Sequence, residues 1–578
     1  MTARPLQPVR DLVLGLGTAT TMAREDPALL LVQAARRAPA AWRARAAALL
    51  ARGRRRGAAH AVGTWLAGHD GEARAEVAAL LARGDAPVVV AEIGVLLDVP
   101  GADEAGTAAT RARARHRRGD LSGAIDAAGA TPLGRRLASE RTLLTAGTDV
   151  RLATAATAAA RPHRSPRPAD RSPTPRVLHL LTSSVPRTTS GYALRSQEVL
   201  RAQRRAGIDA VAATRLAYPV DVGLLGTPDR EVVDGVVHHR LVPWHRGGTP
   251  RHRLRQHAAL ALALARDLEP DVLHTTTPWS NAVVTRAVAR ELGVPWVYEV
   301  RGLLEDTWVA SFPAAARAAV RASERYRLLR ARETELARSA DRVVVLGETV
   351  RTALVERGVD AGRVVVAPNA VDARLLASDR SPAAARSALG LAPDGFWVGT
   401  VGSLVAYEGT DTLIRAVALA RADGRDVRAA VVGDGVARPA LQRLVDELGL
   451  ADVVTLPGRV PAAQAPDWYL ALDAFAVTRT DSEVTRTVLP LKPMAALALG
   501  RPVIASDLPA LAELVGDPGA GVLTEPDSPR SVADAVARLA DDPALRTELG
   551  TAGRRFAAGR TWDAVGQTYR RTYAELLA

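Results

Sequence analysis

The chain has 578 residues, 48% of them hydrophobic, no cysteine, and a net charge of +14 from 76 Lys plus Arg against 62 acids. That length predicts three or four domains of roughly 100–200 residues, and the missing cysteine excludes disulfides, thiolate metal sites and a cysteine nucleophile. No apolar run approaches the roughly 18 residues of a membrane span, and Leu12 to Met22 is too short and too rich in Gly and Thr for a signal sequence, so a cytoplasmic protein is expected.

Residues 1–157 run in Ala/Arg/Leu stretches with helical spacing, such as Ala28 to Leu50 and Glu72 to Leu81, and predict an irregular all-helical domain without a clean repeat. Residues 158–175, AAARPHRSPRPADRSPTP, have nothing to bury and read as a linker. From Arg176 short apolar runs alternate with helical patterns: Arg176 to Ser183, Ala210 to Thr214, Val272 to His274, Val297 to Val300 and Val343 to Leu346. A second cycle starts at Phe396 and continues through Ala429 to Val432, Val453 to Leu456, Ala474 to Val477, Val503 to Ala505 and Gly521 to Leu523. Alternation of this kind predicts an α/β protein with two doubly wound parallel sheets, at 176–375 and 376–560, followed by a C-terminal helix at 561–578. Ligands of such sheets sit at the carboxyl ends of the strands, which places the expected site in the cleft between the lobes.

Lys492 is the one lysine among the 76 basic residues, and it stands in Pro490-Leu491-Lys492-Pro493 at the start of an Ala/Leu helix that runs to Gly500. A cation at the positive pole of a helix is a misfit unless an anion shares the place, and free amides plus a compact ammonium make a phosphate site. The competing reading is that one lysine survived a general bias toward arginine. A glycine turn at Gly402, beside Ser403, would let backbone approach a diphosphate.

Several boxes carry a family resemblance: Gly191, Leu200 and Gly207 after the first strand, Pro368-Asn369-Ala370-Val371-Asp372, the thirty residues from Val431 to Pro461, Tyr407-Glu408-Gly409, Tyr298 to Gly302, and the Pro-Leu-Lys-Pro box itself. Residues 176–578 resemble retaining glycosyltransferases of family 4, in a bacterial subgroup with that box. The resemblance implies a GT-B fold with an acceptor lobe and then a nucleotide-sugar donor lobe. It also implies transfer of a hexosyl unit from a nucleotide diphosphate sugar to a glycan or lipid-linked acceptor, with no cofactor and no bound metal. Such transfer leaves negative charge on the departing phosphate, so fixed positive groups there should carry most of the rate.

Lys492 and Arg486 are the expected diphosphate-binding and catalytic side chains, with Gly402, Ser403, Leu491, Pro493 and Glu483 completing the donor site. For Arg486, a solvated or salt-bridged surface position is the alternative. By resemblance Ser190, Gly191, Tyr192 and Arg195 face the acceptor, joined by Arg301, Glu305 and Asp306 after an apolar strand, where a loop-stabilising ion pair is the rival. His274 is a candidate base and, equally, a candidate structural histidine. Two places depart from the family pattern. Ala495 stands where members carry the second glutamate of a Glu-x7-Glu pair, and Thr276 stands where the subgroup has a second histidine. These departures support an alternative, a catalytically impaired scaffold or regulator in a glycan-assembly complex. The arginine excess also suits a polyanion, but it is spread along the chain, and at 4% aromatics with no recognition helix no nucleic-acid partner is expected. Peripheral contact with an anionic inner-membrane face is the companion reading.

Overall fold

The computed structural model describes residues 6–51, 57–152, 174–378 and 380–578. Most of the expected 158–175 linker lies outside the described residues. The chain before it is helical throughout its described part, from Gln7–Glu25 to Pro132–Leu144. One expected stretch is split: Ala28 to Leu50 becomes Pro27–Arg37 and Ala40–Ala51, broken around Ala38 and Pro39, because the residue before a proline leaves the helical region. The helical domain packs on the first α/β lobe, where Glu324 accepts from the Ser122 amide at 2.7 Å and from Arg141 at 2.6 Å.

The first lobe holds β1 (Arg176–Leu181), β2 (Asp209–Thr214), β3 (Arg230–Val233), β4 (Val236–Arg240), β5 (Val272–Thr276), β6 (Trp296–Val300), β7 (Arg342–Val345) and β8 (Val364–Val366) in the order β3-β4-β2-β1-β5-β6-β7-β8. Its central strands are buried along their whole length, as covered parallel strands must be, and so they read as continuous apolar runs. All neighbours are parallel except β3 against β4. That hairpin was not expected from the sequence: its strands alternate inward and outward, and β4 carries His238 and His239.

The second lobe holds β9 (Phe396–Val401), β10 (Val427–Val432), β11 (Val454–Gly458), β12 (Ala474–Val477), β13 (Val503–Ser506) and β14 (Gly521–Thr524), all parallel, in the order β11-β10-β9-β12-β13-β14. Two passages of chain join the lobes side by side, because Val371 bridges Thr561 and exchanges backbone hydrogen bonds with Arg560 and Trp562. The last helix, Trp562–Leu577, therefore returns to the first lobe. It lies so close to helix Gly191–Arg205 that a Cβ on Gly566 would meet the Ala202 carbonyl oxygen at 2.5 Å. Trp562, Val565, Tyr569 and Tyr573 are buried there with β1 and β2 residues, each contributing about 1.5–3 kcal/mol by area.

Candidate functional site

At the carboxyl end of β9 the chain turns through Gly402, φ +148°, into a loop that ends in a short turn at Ala406–Glu408. The Lys492 stem crosses this turn, and a Cβ on Gly402 would come within 2.3 Å of Lys492 Cε. Lys492 Nζ donates to the Ser403 carbonyl at 3.3 Å and stands 3.3 Å from Glu408 Oε2. Arg479, just past β12, closes the other side of Glu408 at 3.1 Å and donates to the Val488 carbonyl at 2.8 Å. Burial lowers the Lys492 pKa, and the Glu408 carboxylate partly restores it. Burial would raise the Glu408 carboxyl, but Arg479 and then Lys492 bring it below its ordinary value. The result is a cation, a carboxylate and a second cation in a row, where Arg479 spends its donors inward and Lys492 is the member at the rim.

The second lobe meets the first beside this row. Gly302, after β6, faces Val488, since a Cβ there would come within 2.9 Å of Val488 Cγ2 and 3.7 Å of the Tyr192 hydroxyl, and Arg321 pairs with Glu483 at 2.7 Å. Glu513 accepts from the Glu348 and Thr349 amides at 3.0 and 3.1 Å, so a second-lobe carboxylate caps a first-lobe helix at its positive end. Asn369 donates to the Leu489 carbonyl at 3.0 Å.

Behind the first-lobe face lies a buried polar network centred on Glu299. Arg195 and Arg301 hold one of its oxygens at 2.9 and 3.0 Å, while His274 and Tyr569 meet the other at 3.2 and 3.1 Å. Burial would raise this carboxyl, but Arg301 and Arg195 hold it well below the usual carboxylate range. Burial lowers the His274 pKa, more than Glu299 raises it. The imidazole donates from Nε2 to Glu299 and accepts at Nδ1 from Tyr573, 2.7 Å away. Gln203 and His179 continue the chain, with His179 stacked on His274 at 4.5 Å.

Residues 190–370 match the family described as "Glycosyl transferase 4-like domain" and residues 395–542 the one described as "Glycosyl transferases group 1", together more than half of the chain. Each lobe is thus similar to a glycosyltransferase domain, the first to the 4-like domain and the second to the group 1 domain. The chain is similar to the D-inositol 3-phosphate glycosyltransferases of Kineococcus radiotolerans, 34% identical over 42% of this chain and 58% of that protein, and of Thermobispora bispora, 32% over 34% and 46%. It thus spans about half the length of these curated relatives. Among solved structures, the sucrose-phosphate synthase of Thermosynechococcus elongatus shares the fold with a TM-score of 0.55, 22% identity, 69% of this chain and 99% of that one. Anabaena Alr3699/HepE, solved in complex with UDP, gives 0.53, 21%, 69% and 100%. The fold is GT-B.

Within these glycosyltransferase lobes the structure gathers Gly402, Ser403, Leu491, Lys492 and Pro493 at one place. Lys492 itself opens the helix Lys492–Ala498 and Pro493 is its second residue. Leu491 turns its side chain toward the first-lobe core. Arg486 corrects an expectation: it forks onto Asp481 at 2.6 and 2.7 Å on the surface, because Ser482 caps the short helix Glu483–Thr487 and sets Arg486 beside that acid. Glu483 is likewise taken by Arg321.

Of the residues expected at the acceptor, Ser190, Gly191 and Tyr192 are exposed at the cleft rim. Ser190 caps its helix through the Ala193 amide, and the Arg301 guanidinium lies 5.8 Å from the Tyr192 ring centre. Arg195, Arg301 and Glu305 are corrected. Arg195 donates to Ala367, Pro368 and Asn369 and so ties the first lobe to the crossover. Arg301 is spent on Glu299, the Tyr192 carbonyl and Ser196. Glu305 is fully buried against Arg357 at 2.5 Å, and Asp306 accepts from Tyr326 at 2.9 Å. His274 is corrected too, since its ring has no exposed surface and both nitrogens are engaged. Arg479 was missed. Its only sequence signal is a cation two residues past an apolar strand in a lobe whose strand ends face the cleft.

Proposed function

We propose that the protein is a retaining, metal-independent glycosyltransferase that moves a hexosyl unit from a nucleotide diphosphate sugar to a glycan or lipid-linked acceptor. The observation that carries this is the row Arg479, Glu408, Lys492 set against Gly402 at the second-lobe strand ends. A buried row with a net positive charge and one rim ammonium suits a departing phosphate, because charge–charge stabilisation strengthens where water is excluded. Lys492 would meet the leaving oxygens, Gly402 and Ser403 would admit them, and Tyr192 on the opposite rim would meet the acceptor. The UDP complex of the similar Anabaena protein supports a nucleotide donor.

Peripheral membrane contact has its own support. On helix Gln7–Glu25, Arg10, Asp11 and Leu14 are buried, Arg10 pairing with Asp229 at 2.7 Å, while Val9, Leu12, Val13 and Leu16 face outward. An outward apolar stripe on a surface helix is the face that enters an interfacial layer.

A second reading, a GT-B scaffold without turnover, is favoured by Ala495, which cannot accept a ribose hydroxyl, and by the burial of His274. Calorimetry against UDP, GDP and ADP, with a donor-hydrolysis assay on the same preparation, separates the two. Nucleotide binding with turnover supports the transferase, and no binding to any of the three overturns it.

A further inference from the structure

Helix Glu324–Ser339 of the first lobe carries five arginines and three glutamates. Two of the glutamates are engaged away from the outer face, Glu324 with Ser122 and Arg141 and Glu333 with Tyr298 and the Trp279 amide, while Glu335 lies on that face with its charge held by Arg286, Arg332 and the Gly147 amide. Two arginines are spent as well, Arg325 beside Glu140 and Arg332 on Glu335. Arg327, Arg330 and Arg338 remain exposed and form no ion pair among the described residues. They recur at helical spacing on one face, spanning about 16 Å from first to last at the rise of an α-helix.

This face is the wall of an open groove of about 850 Å³, within the range of ligand sites, whose lining includes Ala146 from the helical domain, Thr334, Arg357 and one carboxylate, Glu335, already neutralised by Arg286 and Arg332. Arg357 closes one side and reaches Glu305, and the adjoining Gly302 packs against Val488 across the lobes. The groove therefore approaches the transfer cleft from the first-lobe side. No aromatic side chain lines it, which removes the stacking that single-stranded nucleic acid uses, and no large aliphatic one does, which removes the contact a lipid layer needs. What it offers is a row of guanidinium forks, each matched in shape to a carboxylate or phosphate.

We propose that this groove binds an acidic oligosaccharide, the acceptor chain leading away from the transfer cleft, with its charged groups taken in turn by Arg327, Arg330 and Arg338. That the occupant is the acceptor rests on the transferase reading; its binding to the groove does not.

The test uses the full chain and a fluorescent oligogalacturonate, with a dextran of equal length and an oligothymidylate as controls. Oligogalacturonate should bind, more weakly at higher salt, and dextran should not. The triple variant R327Q/R330Q/R338Q should lose at least tenfold in affinity with donor hydrolysis unchanged, and Thr334→Arg, which adds a cation to the row, should tighten binding two- to fivefold. Triple-variant affinity within twofold of the parent would overturn the proposal, as would equal binding of dextran or tighter binding of oligothymidylate. Failure of the transferase reading shows separately, as absent nucleotide binding in the parent while the triple variant still loses oligogalacturonate.

Discussion

Lys492 Nζ lies 3.3 Å from Glu408 Oε2, and the same carboxylate is held from its other side by Arg479. Glu408 cannot bind phosphate, yet it gives the rim ammonium a countercharge that raises its pKa against the effect of burial, while Arg479 fixes the carboxylate. Lys492→Ala should lower donor turnover by about a hundredfold, the scale of losing one fixed donor to a developing oxyanion. Steady-state hydrolysis of UDP- and GDP-sugars measures this, and unchanged turnover would remove Lys492 from the mechanism.

Glu408→Gln removes the influence that raises the Lys492 pKa and leaves burial, which lowers it. Lysine then loses its proton at lower pH, so the alkaline limb of the kcat/KM profile should move down the pH scale, and Glu408→Asp should restore part of the shift. A profile that falls in height without moving would make Glu408 a structural residue only.

Gly402→Ala places a methyl group against the Lys492 stem at a backbone angle that side chains rarely adopt. The strain should cost about 1–3 kcal/mol and displace the ammonium. A drop in melting temperature together with weaker nucleotide binding is expected, and a variant that binds nucleotide as well as the parent would show that the lysine has another route to the site.

Glu299→Ala leaves Arg195 and Arg301 buried without their acid, and should destabilise the fold by about 3–5 kcal/mol in a denaturant titration. His274→Gln should lower stability while folded enzyme keeps its pH–rate profile. Loss of the acidic limb of that profile in the folded variant would return His274 to the list of bases.

Burial, with Glu305 adding to it, pushes the Glu333 carboxyl up from 4.5 to about 7. A group raised in the fold favours folding below its unfolded pKa and loses that contribution as pH rises. Relative to Glu333→Gln, the parent should therefore lose up to about 3 kcal/mol of stability between pH 4.5 and 7. Melts of both proteins across that range check the sign, and parallel curves would refute it.

Much of the fold was legible because buried parallel strands are short and uniformly apolar. β9 and β12 could be read to the residue from Phe396 to Val401 and from Ala474 to Val477. The β3–β4 hairpin was not, since an edge strand with one wet face alternates, and an alternation of four or five residues with two histidines looks like loop. At the site, the glycine turn and the lone lysine stood out in one dimension because each is odd where it stands. Arg479 did not, being one arginine among 75.

The sequence by itself determined two doubly wound lobes behind a helical domain, and which short boxes lie at strand ends, because periodicity and turn chemistry are local. Only the tertiary structure decided which charges spend themselves on one another. Arg195, Arg301, Glu305 and His274 are absorbed into buried pairs, Arg486 is held at the surface by Asp481, and Glu408 stands between Arg479 and Lys492. A charge is committed by what lies within about 4 Å of it, and those neighbours come from segments as far apart in the chain as Glu299 and Tyr569.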